Sequence, residues 1–180
     1  MEGTMKGTLK SVVTISALAA TVIAPVFLFA GNASARPAGT DANYIGAGVA
    51  AGVTNGGQEG DAATFGGNIQ GRFAVPRTPV SVRGAVLFSD ETSAIMPMVS
   101  YDVPITNNAN AYIGAGYSFV ESNGQPTPLG NDDAPVVAIG AEAQIGRNFV
   151  VYGDTKVGIE AYEDSPASAV SIQAGAGYRF

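Results

Sequence analysis

Val170-Ser171-Ile172-Gln173-Ala174-Gly175-Ala176-Gly177-Tyr178-Arg179-Phe180 alternates with a period of two. Val170, Ile172, Ala174, Ala176, Tyr178 and Phe180 share one face; Ser171, Gln173, Gly175, Gly177 and Arg179 share the other. That is the pattern of a strand with one apolar side. A strand of roughly 9–11 residues also crosses a bilayer when tilted by about 45°. The fold therefore turns on whether the preceding residues repeat the pattern often enough to close a sheet.

Seven earlier segments repeat it. Residues 149–161 set Phe149, Val151, Val157 and Ile159 against Tyr152, Asp154, Lys156 and Glu160, and residues 136–145 set Val137, Ile139 and Ile145 against Glu142 and Gln144. Residues 110–121 point Ile113, Ala115, Tyr117 and Phe119 away from Asn110, Tyr112, Gly114, Gly116 and Ser118. In residues 94–103, Ile95, Val99, Tyr101 and Val103 oppose Met96, Met98, Ser100 and Asp102, and Pro97 predicts a bulge or a locally broken ladder. Residues 80–89 place Val80, Val82, Val86 and Phe88 opposite Ser81 and Arg83, and residues 64–75 place Phe65, Ile69, Phe73 and Val75 opposite Asn68, Gln70 and Arg72. The first segment, residues 43–53, sets Ile45, Val49 and Val53 against Tyr44, Gly46 and Gly48.

The connections alternate too. Pro76-Arg77-Thr78-Pro79 and Gly146-Arg147-Asn148 are tight, whereas the other ends carry mostly longer polar loops. Those loops contain Glu59, Asp61, Asp90, Glu91, Asp132, Asp133, Glu163 and Asp164 and no Lys or Arg, while Arg77 and Arg147 lie on the opposite turns. Even strand number with short turns on one side and longer loops on the other is the organisation of a transmembrane barrel. Tyr44-Ile45-Gly46-Ala47-Gly48 recurs as Tyr112-Ile113-Gly114-Ala115-Gly116, either as strand filler or as a duplicated module.

The N-terminus has the parts of a secretory signal: Lys6 and Lys10, an apolar run over residues 12–30, and Ala33-Ser34-Ala35 before Arg36. This predicts a cleavable signal peptide over residues 1–35 and a mature domain over residues 36–180, with Met1 or Met5 as the start; an uncleaved membrane anchor is the alternative. Cleavage would leave 7 basic and 14 acidic residues, a net charge of −7, which argues against a nucleic-acid partner. The chain has no Cys and no His, which excludes disulfides, thiolate and imidazole chemistry and the commoner zinc sites. The mature portion has no apolar run long enough for a spanning helix, so a membrane form requires a closed sheet.

The whole mature chain resembles the small eight-stranded outer-membrane barrels, the OmpA-like and OmpX/Ail-like group described as outer-membrane β-barrel domain or porin family proteins. The resemblance rests on strand count, the signal and the ending Gly175-Ala176-Gly177-Tyr178-Arg179-Phe180. It implies an all-β, antiparallel, up-and-down transmembrane barrel in a bacterial outer membrane, with lipid as its surroundings. Tyr178 and Phe180 would then belong to the signal read by the barrel-assembly machinery.

With apolar faces outward, the inward charges are Arg72, Arg83, Lys156 and Arg179 against Asp102, Glu142, Asp154 and Glu160, with Arg179 in the lumen or at its rim and in need of a carboxylate nearby. Equal numbers predict an ion-pair network in a filled lumen, since an unpaired buried charge is strongly unfavourable and an eight-stranded barrel is only wide enough for its own side chains. The inward glycines leave an open pore as the alternative. Carboxylate pairs such as Asp154 with Glu160 or Glu142 with Asp102 would be the catalytic reading, but neither spacing nor a pocket selects a pair, so no enzymatic role and no cofactor are expected. Asp132 and Asp133 are the candidate loop carboxylates for a divalent cation, although no EF-hand spacing accompanies them. The expected function is a structural or surface-interaction protein, monomeric, acting through acidic loops. A passive small-solute channel is the second reading, and a soluble lipocalin-like barrel with its apolar faces inward a more distant third.

Overall fold

The computed structural model describes residues 38–56 and 64–180. The predicted signal peptide, Arg36, Glu59 and Asp61 lie outside them. Eight strands follow in order: β1 (Tyr44–Gly52), β2 (Phe65–Ala74), β3 (Val80–Phe88), β4 (Ser93–Thr106), β5 (Ala109–Val120), β6 (Ala134–Ile145), β7 (Phe149–Gly158) and β8 (Ala169–Arg179). Each pairs antiparallel with its chain neighbour, and β8 returns to β1, so the sheet is a closed up-and-down barrel. The closing seam runs from Tyr44 opposite Arg179 to Gly52 opposite Ser171, and the Phe180 amide adds a bond of 3.1 Å to the Asn43 carbonyl. Closure leaves no sheet edge with unpaired backbone, the condition a sheet must meet inside hydrocarbon.

The alternation decides which face is which. Large apolar side chains point away from the lumen and stay uncovered, with Ile45 at 58% and Phe65 at 68% exposure, while their polar neighbours on the same strands are buried. This overturns the lipocalin-like reading, which needs the apolar faces inside. Aromatic rings gather near both ends of the outer surface. Phe73 with Phe180 (5.8 Å between centroids) and Phe149 with Tyr178 (6.2 Å) lie near the turns; Tyr117 with Phe119 (4.8 Å) lies near the loops. Two aromatic bands around an apolar belt are what the two membrane interfaces select.

Pro97 interrupts the ladder without shifting it. It is paired with Gly84 on β3, but Met96 and Pro97 have no partners in the β5 register, which resumes unchanged at Met98 opposite Gly116. The register shift in this pair lies instead between Pro104 and Thr106. At the tight β2–β3 reversal, the Thr78 amide bonds the Val75 carbonyl at 3.2 Å, and Arg77 follows Pro76 with φ of 63°. That is a type II turn with an arginine where glycine is favoured. Arg77→Gly is therefore expected to stabilise the folded barrel by about 0.5–1 kcal/mol, read as a higher urea midpoint.

Candidate functional site: the barrel lumen

Near the turn end, inward alternation on four strands brings Arg72 (β2), Arg83 (β3), Asp102 (β4) and Glu142 (β6) into one buried quartet. Each guanidinium meets both carboxylates: Arg72–Asp102 is 2.7 Å, Arg72–Glu142 3.1 Å, Arg83–Asp102 3.1 Å and Arg83–Glu142 2.9 Å. Ser81 and Ser100 donate to Asp102, the latter at 2.9 Å, while accepting from Arg72 Nε and Arg83 Nε. Tyr44 Oη donates to Glu142 at 3.1 Å. Buried charges are tolerated when paired and fully hydrogen-bonded, and both conditions hold here.

Above the quartet lies Lys156 on β7, wholly buried. Its ammonium directs three bonds, to Asp154 (2.6 Å), Gln173 (3.0 Å) and Gln70 (3.3 Å), which matches its three donors. Asp154 also accepts from Tyr112 Oη at 2.7 Å, and the Tyr112 ring lies 3.6 Å from the Arg83 guanidinium carbon. Gln70 donates to Tyr44 Oη at 3.2 Å, so the lysine cluster and the quartet form one continuous network.

Tyrosine rings occupy part of the space that the inward glycines free: Tyr152 lies against Gly46 and Gly175, Tyr44 against Gly177 and Tyr112 against Gly140. Tyr44 and Tyr152 stack with centroids 5.9 Å apart, and Tyr152 Oη donates to Asn68 at 2.6 Å. A Cβ on Gly175 would lie 2.5 Å from Tyr152 Cζ and 2.6 Å from the Ala47 carbonyl oxygen. Gly175→Val is accordingly expected to lower stability by about 1–3 kcal/mol through overpacking, measured by urea unfolding of the refolded barrel.

Near the loop end the lumen turns apolar. Leu87, Met96, Met98, Val136 and Ala138 line it, and the loop between β5 and β6 folds back so that Leu129 inserts among them. Amides of Asn131 and Asp132 bond the Ala161 carbonyl at 3.0 and 3.2 Å, and Ser89 Oγ donates to the Pro126 carbonyl at 2.8 Å, so three outer loops interlock over the mouth. Tyr162 joins them through a 2.9 Å hydroxyl contact with Thr54, and burial keeps its phenol protonated above the usual tyrosine range.

Of the eight residues expected in the network, Glu160 lies elsewhere, and Arg179, expected in the lumen or at its rim, lies at the rim. Glu160 is exposed, past the end of β7, with φ of 55°. The chain leaves the strand at Gly158, so the two-residue period no longer governs which way Glu160 points. Arg179 sits at the turn-end rim, donating to Asp41 at 3.1 Å and to Gln144 at 2.8 Å; the Asp41 side chain is 89% exposed. The lumen then holds Arg72, Arg83 and Lys156 against Asp102, Glu142 and Asp154, still balanced because one charge of each sign has left. Asp154 is thus inside the lumen while Glu160 is outside it, and Glu142 and Asp102 are bridged by shared arginines.

Asp132 and Asp133 are used within their loop. Asp133 accepts from the Val120 amide at 2.7 Å, and Asp132 accepts from the Asp133 amide at 2.8 Å and from Asn123 at 3.0 Å. Among the described residues, no group of three or more Asp and Glu converges as a metal site would require. Tyr44, Tyr112 and Tyr152 carry much of the lumen's packing; their inward phase was readable from the alternation, but their role as fillers of glycine sockets on neighbouring strands was not.

A closed antiparallel sheet, apolar and aromatic-banded outside and charge-paired inside, is a membrane-spanning β-barrel. The chain belongs to the outer membrane protein beta-barrel domain family, whose model matches residues 21–180. It is thus a protein of the bacterial outer membrane. Among solved structures it is similar to a de novo designed transmembrane β-barrel, with TM-score 0.55, 11% identity and coverage of 78% of this chain and 98% of that one. It is similar also to Ail, the attachment invasion locus protein of Yersinia pestis, with TM-score 0.50, 18% identity and coverage of 78% and 100%. The N-terminal β-barrel domain of Pseudomonas aeruginosa OprF gives TM-score 0.50, 14% identity and coverage of 78% and 98%. At such identities the likeness is one of fold. A comparison with curated proteins found no match.

Proposed function

We propose that the protein is a monomeric, non-enzymatic anchor in the outer membrane that acts through its acidic loop face and does not conduct solutes. The occlusion of the lumen carries this reading. A solute would have to pass an interlocked apolar plug around Leu129, the tyrosine layer and then the ion-paired quartet. Each layer is made of buried side chains with satisfied partners, so opening a path would break several interactions at once.

The acidic face supports the surface role. Glu121 and Glu160 join the loop carboxylates at that end, and no Lys or Arg offsets them. Among the described residues, the interlocked loops carry Asp90, Glu91, Asp132, Asp133, Glu163 and Asp164 on a fixed platform, which suits recognition better than free tails do. On this reading Tyr178 and Phe180, on the outer surface at the closing seam, are available to the barrel-assembly machinery during insertion.

Planar-bilayer recording tests the proposal. The refolded protein is expected to give no steady unit conductance. Steady openings whose size changes with Arg83→Ala would establish the passive-channel alternative instead.

A further inference from the structure

Residues 38–42 precede the first strand, yet they do not lead away from the barrel. They cross its turn-end opening. The Gly39 amide bonds the Thr106 carbonyl at 3.0 Å, and Ala38 reaches Asn107. Thr40 exchanges two bonds with the Asn110 side chain on β5, its amide donating at 3.1 Å and its carbonyl accepting at 2.7 Å. Thr40 Oγ1 also reaches Gln144 on β6 at 3.4 Å. Arg72 Nη1 donates to the carbonyls of Thr40 (3.3 Å) and Ala42 (2.9 Å).

We infer that residues 38–42 form a detachable strap that seals the lumen from the turn side and keeps water from Ser81 and from Arg83 and Glu142, the inner members of the Arg72–Arg83–Asp102–Glu142 quartet. The carbonyls of the strap complete the coordination of Arg72, whose other donors face Ser81, Glu142 and Asp102. The strap is held by hydrogen bonds rather than by pairing into the sheet, and it contributes no large apolar side chain to the lumen. A vestibule of about 420 Å³, lined by Ala38, Thr40, Asp41, Arg72, Arg77 and Asp102 among others, lies against it. The vestibule meets the turn-side edge of the quartet at Arg72 and Asp102, whereas Arg83, Glu142 and Ser81 do not line it, so releasing the strap would extend it inward to those three residues. This goes beyond the anchoring role: the barrel wall would remain intact while one end of the lumen opens or shuts.

Gly39 gives a handle that leaves the barrel wall untouched. Its φ of +73° disfavours any other residue, and an added Cβ would lie 3.0 Å from Pro104 Cβ and against the Asn110 side-chain oxygen. Because the chain has no native Cys, single thiols report water access cleanly. Ser81→Cys places one beneath the strap beside Arg72 and Asp102, and Leu87→Cys places one in the apolar upper lumen; both positions are fully buried. The mature barrel carrying either thiol is treated with a charged maleimide, with and without Gly39→Val or Thr40→Ala. Labelling of the Ser81→Cys variant is expected to accelerate at least about tenfold on strap release, with the Leu87→Cys variant unchanged and heat-modifiable migration retained. Fast labelling of Ser81→Cys with the strap intact would overturn the inference. So would unchanged labelling in both strap variants, or equal acceleration of both thiols, which marks general loosening of the barrel.

Discussion

Replacing Glu142 with Ala is expected to destabilise the folded barrel by about 3–5 kcal/mol, the range for breaking a buried ion pair by removing one partner. Glu142 accepts from both guanidiniums, at 3.1 Å from Arg72 and 2.9 Å from Arg83, and from Tyr44 and Asn110 as well. Without it two buried cations share Asp102 alone, and the lumen acquires an uncompensated positive charge. Urea unfolding of the refolded protein in lipid vesicles reads the change. The companion variant Arg83→Met/Glu142→Met restores neutrality, leaving Arg72 with Asp102, and is expected to recover most of the loss. A loss below about 1 kcal/mol for Glu142→Ala would reduce the quartet to the worth of exposed pairs and undermine the account of a dry, charge-locked lumen.

How much of this was legible in the sequence depends on where each residue sits along its strand. Arg72, Arg83, Asp102, Glu142, Asp154 and Lys156 lie well inside strands, where the two-residue period assigns a face without knowledge of the neighbours. The same period fails at Glu160, because nothing in Glu160-Ala161-Tyr162-Glu163-Asp164 marks Gly158 as the strand's last residue. Arg179 has the predicted face, but alternation gives direction and leaves lumen and rim both open, and only the barrel's register places Arg179 at the rim opposite Tyr44, with Asp41 as its carboxylate. Leu129 shows the opposite limit. A single apolar residue between Pro128 and Gly130 has no period, so its insertion into the upper lumen follows from loop contacts made across three connections. The strap was equally hidden, since residues 38–42 are short, small and polar, and their partners are remote in sequence, as the Thr40 bonds to Asn110 and Gln144 show with separations of 70 and 104.

The outer surface makes the second large prediction, and it bears on the membrane itself. Along β2 the outward residues are Phe65, Gly67, Ile69, Gly71 and Phe73, so Ile69 lies midway between the two aromatic bands, at 45% exposure. If those bands mark the two interfaces, Ile69 faces the middle of the hydrocarbon. Ile69→Arg should then destabilise the barrel by about 2–4 kcal/mol in bilayers, whereas Phe73→Arg, at the turn-end band, should lose only about 0–1 kcal/mol through its charge, beyond what removal of the ring costs. Ring loss is separated by comparing Phe73→Arg with Phe73→Leu, and the Ile69 effect by comparing Ile69→Arg with Ile69→Ala. The depth dependence is the discriminating quantity. A soluble barrel would accept arginine at both exposed positions with similar ease, because a guanidinium on a water-facing strand keeps its hydration. Equal and small effects at the two positions would therefore contradict the placement of this belt in lipid, while a graded loss peaking at Ile69 would locate the bilayer midplane on the strand that also carries Gln70 and Arg72 into the lumen.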